Sequence, residues 1–160
     1  MSTKGLTRIA LSAALLAAVS QLAIPLGGVP LTVQVFGVAL CGSLLGKKEG
    51  VIAVAVWLLL GAAGVPVFYG FQGGFTHLLG YTGGFLWSFL VLAFCCGFKK
   101  SSAGLLGVAA CHLLGTVQFA LVSGNGPWIS WMQASLPYLL KDVLLALVGI
   151  GLSKRLGGKI

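Results

Sequence analysis

Six apolar runs, separated by short breaks, occupy most of this 160-residue chain. They cover approximately residues 6–24, 31–46, 51–63, 81–98, 103–122 and 136–153. A helix that crosses a membrane takes about 20 apolar residues, so most of the sequence is accounted for by crossings. Charged residues make up 8% of the chain, against roughly 25% in soluble domains. We therefore predict an all-α integral membrane protein with a single transmembrane domain over residues 1–160.

Basic residues stand at every second break between these runs. Nine of the ten stand at the start of the first run, between the second and third, between the fourth and fifth, and after the last: Lys4, Arg8, Lys47, Lys48, Lys99, Lys100, Lys154, Arg155 and Lys159. The tenth, Lys141, does not fit this pattern. The other connections, 25–30, 64–80 and 123–135, carry no charge. Lysine and arginine near the ends of membrane spans stay cytoplasmic. The pattern predicts a six-transmembrane-helix bundle whose N- and C-termini are both cytoplasmic.

Two of the runs, 31–46 and 51–63, are short for a bilayer crossing. The charged segment Lys47-Lys48-Glu49 between them predicts a hairpin that returns the chain to the same side. If the two runs formed one interfacial element instead, four crossings would remain and the termini would still be cytoplasmic. The first run also resembles a signal peptide with a cleavage site at Ala18-Val19-Ser20, but the further spans that follow favour an ordinary first helix.

Few residues of the chain fit catalytic or metal-binding patterns. No C-x-x-C pair and no ligand spacing with histidine occurs, so neither a zinc site nor a redox site is expected among Cys41, Cys95, Cys96, Cys111, His77 and His112. The segment from Gly42 to Lys48 departs from a phosphate loop in its glycine spacing and lacks a hydroxyl residue after the lysine. Glu49 and Asp142 are the only carboxylate side chains. We therefore expect no enzyme activity and no bound cofactor.

Lys141 and Asp142 are adjacent ionisable residues inside the last apolar run. A charged residue at membrane depth costs about 2.5–3.5 kcal/mol on insertion scales, so it marks a functional site by default. One interpretation is a local neutralising pair in which Lys141 reaches toward the outer interface. The other is that Asp142 faces a cavity and accepts hydrogen bonds from a polar ligand, since a carboxylate is only an acceptor.

The charge-free connection 64–80 is rich in glycine and aromatic residues, among them Tyr69, Phe71, Gly73 and Gly74. Irregular backbone near membrane depth is tolerated where protein buries it or where it lines a cavity. The following segment, Gly80-Tyr81-Thr82-Gly83-Gly84, fits either a ligand site or helix packing through small residues. Thr32 and Gln34 add polar groups to the first charge-free connection.

Several motifs resemble those of the BioY family. They are Val29-Pro30-Leu31-Thr32-Val33-Gln34, Gly64-Val65-Pro66-Val67-Phe68 with Gly73-Gly74, Gly80-x-Thr82-Gly83-Gly84-Phe85-Leu86, and Pro137-Tyr138-Leu139-x-x-Asp142. The resemblance covers nearly the whole chain. It implies a biotin-binding S component of an energy-coupling factor (ECF) transporter, a six-helix protein of the bacterial cytoplasmic membrane that captures the vitamin from outside.

The resemblance also implies partners. These are an ECF transmembrane coupling subunit and two ABC-type ATPase subunits, which would be the only users of ATP. Ala10, Ala14 and Ala18 recur at four-residue spacing in the first run and resemble the alanine motif with which S components dock the coupling subunit. Ordinary packing inside the bundle explains the same spacing.

The expected biotin site combines a carboxylate, donors and apolar walls. Asp142 would accept from the ureido N–H groups, and Gln34, Thr82 or Lys141 would donate. Tyr69, Phe71 and Tyr138 would pack the bicycle, while Gly73, Gly74 and Gly83 would let the backbone close over it; Thr32 lies in the same motif as Gln34. The family commonly has a lysine three residues after the aspartate, where this chain has Leu145, so the role of Lys141 stays open.

Two other functions fit the same sequence features. The first is a solitary small-solute channel or proton-coupled permease in which the Lys141-Asp142 pair titrates. The second is an S component for another vitamin, because the architecture would be shared and the pocket would select the ligand. A titration with biotin distinguishes a biotin S component from these two alternatives.

Overall fold

The computed structural model describes residues 2–25 and 29–157, and most of them are helical. The helices are α1 (Thr3–Ser20), α2 (Gln34–Ala62), α3 (Thr76–Leu79), α4 (Gly83–Cys96), α5 (Ser101–Ser123), α6 (Pro127–Ala134) and α7 (Leu136–Gly157). Two short strands, β1 (Ala23–Ile24) and β2 (Leu31–Thr32), pair antiparallel between α1 and α2. Lys159 of the last basic cluster and residues 26–28 of the first charge-free connection lie outside the described residues.

Helix α1 has one buried and one exposed face. The Ser2 hydroxyl caps its start by accepting from the Gly5 N–H at 3.3 Å, which satisfies one of the free donors of the first turn. Ile9, Ala13 and Leu16 face the bundle and are buried. The alanines of the four-residue repeat face outward and are exposed: Ala10, Ala14 and Ala18.

Helix α2 turns back on itself at Gly46, so it consists of two arms, 34–45 and 47–62. Gly46 has φ 81° and ψ 176°, a conformation that only glycine adopts without steric cost. The arms cross closely, because a Cβ on Gly50 would lie 2.7 Å from the Cα of Gly42. The predicted hairpin is therefore present, but the bend is at Gly46, and Lys47-Lys48-Glu49 begin the second arm instead of forming the turn.

The two arms of α2 lie at the centre of the bundle. α2 packs against α1, α4 and α7, while α5 packs along α4 and also contacts α6 and α7. Trp57, Leu92 and Ile150 are among the largest side chains that are fully buried in this core. The same packing brings the start of α2 next to α7, which positions the candidate site.

The outer surface of the bundle is apolar. Leu106, Leu121 and Leu140 are each exposed over 70% or more of their surface, which water disfavours and lipid accepts. Among the described residues, two helices are long and apolar enough to cross a membrane, Ser101–Ser123 and Leu136–Gly157; Gly83–Cys96 is shorter but also apolar. Helix α2 is not among these helices: its two apolar arms are separated by the bend at Gly46 and by the charged residues Lys47, Lys48 and Glu49 that follow it.

The charge-free connections contain more regular structure than the sequence predicted. The connection 64–80 contains a 3-10 turn at Tyr69–Phe71 and the short helix α3, and the connection 123–135 contains α6. Gly124 ends α5 in the left-handed conformation with φ 71°, and Pro127 stands in the first turn of α6, where its missing N–H costs nothing. The first helix ends at Ser20, earlier than the predicted run 6–24.

Candidate substrate-binding cavity

A cavity lies between α2, α4, α5 and α7, beneath the segment that connects α2 to α3. The empty space, including its open mouth, is about 740 Å³. Its walls combine aromatic and aliphatic side chains with a few polar ones. The lining residues are Val29, Pro30, Thr32, Gln34, Val35, Phe68, Tyr69, Gln72, His77, Thr82, Phe85, Leu86, Phe89, Val108, Cys111, His112, Ala134, Tyr138, Lys141 and Asp142.

Asp142 is a buried carboxylate in this cavity, with only 6% of its surface exposed. Its Oδ1 lies 2.7 Å from Lys141 Nζ, and its Oδ2 lies 3.3 Å from His112 Nε2. Lys141 Nζ also donates to the Thr32 carbonyl oxygen at 2.6 Å. A charge removed from water is stable only when it is paired. The contacts with Lys141 and His112 provide this pairing for the Asp142 carboxylate.

Lys141 lines the cavity and forms the local pair with Asp142. Its side chain is 23% exposed, and its ammonium group joins Asp142 on α7 to the Thr32 backbone before α2. The long aliphatic stem allows this, because it can curve around the helix to the charge on its neighbour. Leu145, one turn farther along α7, packs against the apolar core.

Thr32 and Gln34 are both buried beside this charged pair. The Thr32 hydroxyl donates to Gln34 Oε1 at 3.4 Å, while Gln34 Nε2 has no hydrogen-bond partner among the described residues. Gln34 is the first residue of α2, so its side chain projects from the end of the helix toward the cavity that it lines.

The predicted aromatic walls are present in part. Tyr69 and Tyr138 line the cavity, and the Tyr138 hydroxyl donates to the Val29 carbonyl oxygen at 2.6 Å. Phe71 does not line it and is 73% exposed. Its backbone has φ 57° and its N–H donates to the Gln21 side chain at 2.8 Å, so the backbone is anchored while the ring turns outward. Phe85 and Phe89 of α4 provide cavity walls instead.

The predicted glycines are not among the lining residues. A Cβ on Gly73 would clash with the Val65 carbonyl oxygen, and one on Gly83 would clash with the Leu78 carbonyl oxygen. Gly74 has φ 112°, a backbone conformation that residues other than glycine rarely adopt. These glycines therefore shape the covering segment and the start of α4. Thr82, next to Gly83, does line the cavity.

A sequence model of the BioY family matches residues 1–158. The chain belongs to the BioY family. The match confirms the resemblance inferred from the proline, glycine and aspartate motifs.

Individual BioY proteins resemble the chain over most of its length. The Probable biotin transporter BioY of Pyrococcus horikoshii is 34% identical, with 99% of both sequences covered. The Biotin transporter BioY of Thermotoga maritima is 38% identical, over 88% of this chain and 90% of the relative. The crystal structure of the S-component for biotin from an ECF-type ABC transporter has a TM-score of 0.87 and 28% identity, covering 98% of this chain and 94% of that one.

These matches settle the broad class of the protein. BioY relatives are named as transporters, so the chain is not an enzyme, as the sequence predicted. Together with the apolar outer surface, the family assignment identifies a membrane protein. The helical fold is that of an ECF S component.

The sequence predictions for this BioY chain missed His112, Gln72 and His77, all of which line the cavity. His112 is the most informative of these, because it is 1% exposed and faces Asp142. The spacing of the two histidines in the sequence fits no metal-ligand pattern and gives no other indication of a role. The signal that identifies His112 is an ionisable side chain in the middle of the apolar run 103–122, which is costly in a membrane unless it has a partner.

Proposed function

We propose that this protein is the biotin-capture subunit of an ECF-type vitamin uptake transporter in the bacterial cytoplasmic membrane. It binds biotin from outside, and partner subunits that hydrolyse ATP drive its import. The names of the relatives and the similarity to a biotin S-component support this function.

The observation that carries the proposal is the buried carboxylate of Asp142 at the polar end of an aromatic cavity. Biotin presents two ureido N–H donors and a carbonyl oxygen on an apolar bicycle. A carboxylate accepts from N–H groups, whereas the Gln34 amide and the Lys141 ammonium donate. Tyr69, Tyr138 and the two phenylalanines of α4 supply apolar surface for the bicycle.

The charge pattern supports an outward-facing cavity in a chain with six crossings and cytoplasmic termini. Each of the three charge-free connections contributes a lining residue: Val29 from 25–30, Phe68 from 64–80 and Ala134 from 123–135. The basic clusters lie at the opposite ends of the helices. Since basic residues near spans stay cytoplasmic, this arrangement supports a multi-pass protein whose site opens to the outside.

The exposed alanine face of α1 is the proposed docking surface for the coupling subunit. Ala10, Ala14 and Ala18 present small side chains outward, so another helix can approach α1 closely. The ATPase pair would act through that subunit. The capture subunit itself needs no cofactor for this role.

A titration of the purified protein with biotin in detergent tests the function. The indole of Trp131 lies 6.5 Å from the His112 ring, and that of Trp57 lies 5.3 Å from the Phe68 ring, so intrinsic fluorescence reports on the cavity. We expect stoichiometric binding that Asp142→Ala weakens about 10- to 100-fold, because a hydrogen bond to a charged group is lost.

Asp142→Asn and a second vitamin serve as controls for shape and specificity. The asparagine variant keeps the size of the side chain but not its charge, and we expect it to bind more weakly than the parent. Failure of the folded, biotin-free parent to bind biotin would contradict the proposal. Tight binding of the second vitamin instead would assign the chain to another substrate, and uptake into vesicles without partner subunits would identify a solitary permease.

A further inference from the structure

The ring of His112 is held in a fixed position beside the carboxylate of Asp142. Nε2 lies 3.3 Å from Asp142 Oδ2, and the residue is 1% exposed. The ring packs edgewise against Phe85 at 5.9 Å and against Trp131 at 6.5 Å between centroids. These contacts come from α4, α6 and α7, so the orientation of the ring depends on the packing of the whole site.

The contacts of Asp142 determine which ring nitrogen of His112 carries the proton. A proton on Nε2 avoids placing two acceptors face to face, so Nδ1 is the acceptor of a neutral imidazole. Lys141 already neutralises the carboxylate at 2.7 Å, and a second buried cation would have no counter-charge. Nδ1 is buried and has no hydrogen-bond partner in the described part of the chain.

The buried polar atoms without partners are concentrated in the cavity. Across residues 2–25 and 29–157, two such side-chain atoms belong to lining residues, Gln34 Nε2 and His112 Nδ1; a third atom of the lining, Asp142 Oδ1, contacts Lys141 Nζ at 2.7 Å. Buried polar groups in folded proteins are normally paired, so the two unpaired atoms indicate a missing ligand. His112 Nδ1 is an acceptor and Gln34 Nε2 a donor, and Asp142 Oδ1 keeps a further acceptor site beside its contact with Lys141. Together they complement a cyclic urea with two N–H groups and one carbonyl oxygen.

We propose that His112 is a substrate-binding residue that discriminates for an unsubstituted cyclic urea. Its Nδ1 accepts one ureido N–H, Asp142 Oδ1 accepts the other, and Gln34 Nε2 donates to the ureido oxygen. Through Nε2, the same ring holds the Asp142 carboxylate in place. This inference rests on the proposed biotin function and adds the residue that reads the second N–H.

Two biotin derivatives, each methylated on one ureido nitrogen, test the assignment by calorimetric titration. We expect the parent to bind both isomers about 10- to 100-fold more weakly than biotin, since each methyl group removes a donor and leaves a buried acceptor unpaired. Equal binding of biotin and both isomers by the parent would overturn the proposal without any variant.

Two substitutions separate the roles of the ring nitrogens. His112→Gln places an amide near the Nε2 position but removes the acceptor at Nδ1, whereas His112→Asn keeps an acceptor near Nδ1. The measured quantity is the ratio of biotin affinity to isomer affinity, which a general structural loss would not change. In His112→Gln we expect this ratio to fall about tenfold for one isomer only, and in His112→Asn we expect both ratios to stay at parental values.

The outcomes distinguish this inference from the proposed function. A parent that does not bind biotin overturns both. A parent that binds biotin, with isomer ratios unchanged in His112→Gln or lowered equally for both isomers, overturns the role of His112 and leaves biotin capture intact. If the glutamine variant fails to fold, a fall in either ratio in His112→Asn contradicts the assignment, as does parental binding of both isomers as tightly as biotin.

Discussion

The side chain of Gln21 is hydrogen-bonded to the backbone of Phe68, which lies 47 residues farther along the chain. Its Nε2 donates to the Phe68 carbonyl oxygen at 3.0 Å, and its Oε1 accepts from the Phe71 N–H at 2.8 Å. Gln21 directly follows α1, whereas Phe68 and Tyr69 line the cavity. One amide group therefore fastens the segment that covers the cavity to the end of the helix that bears the exposed alanines.

Replacing Gln21 is expected to loosen the cover of the site. Gln21→Ala removes both hydrogen bonds to the segment, and two such bonds together contribute about 1–3 kcal/mol. We expect biotin to dissociate about tenfold faster, as measured by stopped-flow fluorescence. Thr7→Ala is the matched control, because it removes a hydrogen bond to Thr3 at the other end of α1 and leaves the cover untouched. Equal dissociation rates for parent and Gln21→Ala would contradict a covering role.

Lys141 and Asp142 are expected to be energetically coupled. Lys141→Met leaves a buried carboxylate without its cation, and Asp142→Asn leaves the lysine without its anion, so each single change destabilises the protein. Removing both charges together should cost less than the sum of the two, with a coupling energy of about 1–3 kcal/mol. Thermal unfolding of the four proteins in detergent without biotin measures it. Additive losses would show that the 2.7 Å contact contributes little.

Gly42 is expected to tolerate no side chain. A Cβ at this position would lie 2.5 Å from the Ala93 carbonyl oxygen and 2.9 Å from the Ala93 Cα, so neither contact can relax by a side-chain rotation. Gly42→Ala should lower the free energy of unfolding by about 1–3 kcal/mol, the usual cost of overpacking. The measurement is the midpoint of thermal unfolding.

Gly151 of α7 is the matched control for this substitution. A Cβ there would meet no atom within 4 Å, and alanine favours a helix over glycine by about 1 kcal/mol. Gly151→Ala should therefore leave stability unchanged or raise it slightly. A similar loss in both variants would mean that glycine matters here for reasons other than the close approach of α2 and α4.

A bulky residue on the exposed face of α1 is expected to block docking without affecting capture. Ala14→Trp should leave the affinity for biotin unchanged, since Ala14 points away from the bundle, but should abolish co-purification with the coupling subunit and the ATPases. Leu121→Trp on α5 is the control, because Leu121 is 79% exposed on another helix. Normal assembly of Ala14→Trp would exclude this face as the docking surface.

Several features of the fold follow from the sequence because they depend on local composition. The apolar runs predicted most of the helices, and their breaks at Gly124 and at the charges after Gly46 lie close to those in the structure. The prediction failed in the connections. Helix α6 is only eight residues long and forms against the bundle, and short helices of this kind have a weak signal of their own in sequence.

The candidate site was predicted only in part. Asp142 is predictable from its charge within an apolar run, because a carboxylate at membrane depth is costly whichever way the helix is rotated. The polar residues Thr32, Gln34 and Thr82 also line the cavity. Phe71 and the glycines do not, because the segment 64–80 uses them for backbone turns and outward-facing surface.

The sequence by itself determined that this chain is a helical membrane protein of the BioY family with two adjacent ionisable residues in its last run. Hydropathy, charge and motif spacing are properties of the chain, so they can be counted along it. The tertiary structure alone decided that His112 of α5 meets Asp142 of α7, that Lys141 curves into the cavity, and that Gln21 holds the segment at Phe68. Such contacts depend on how each helix is rotated about its axis and where it crosses its neighbours, which is set by packing between residues far apart in sequence.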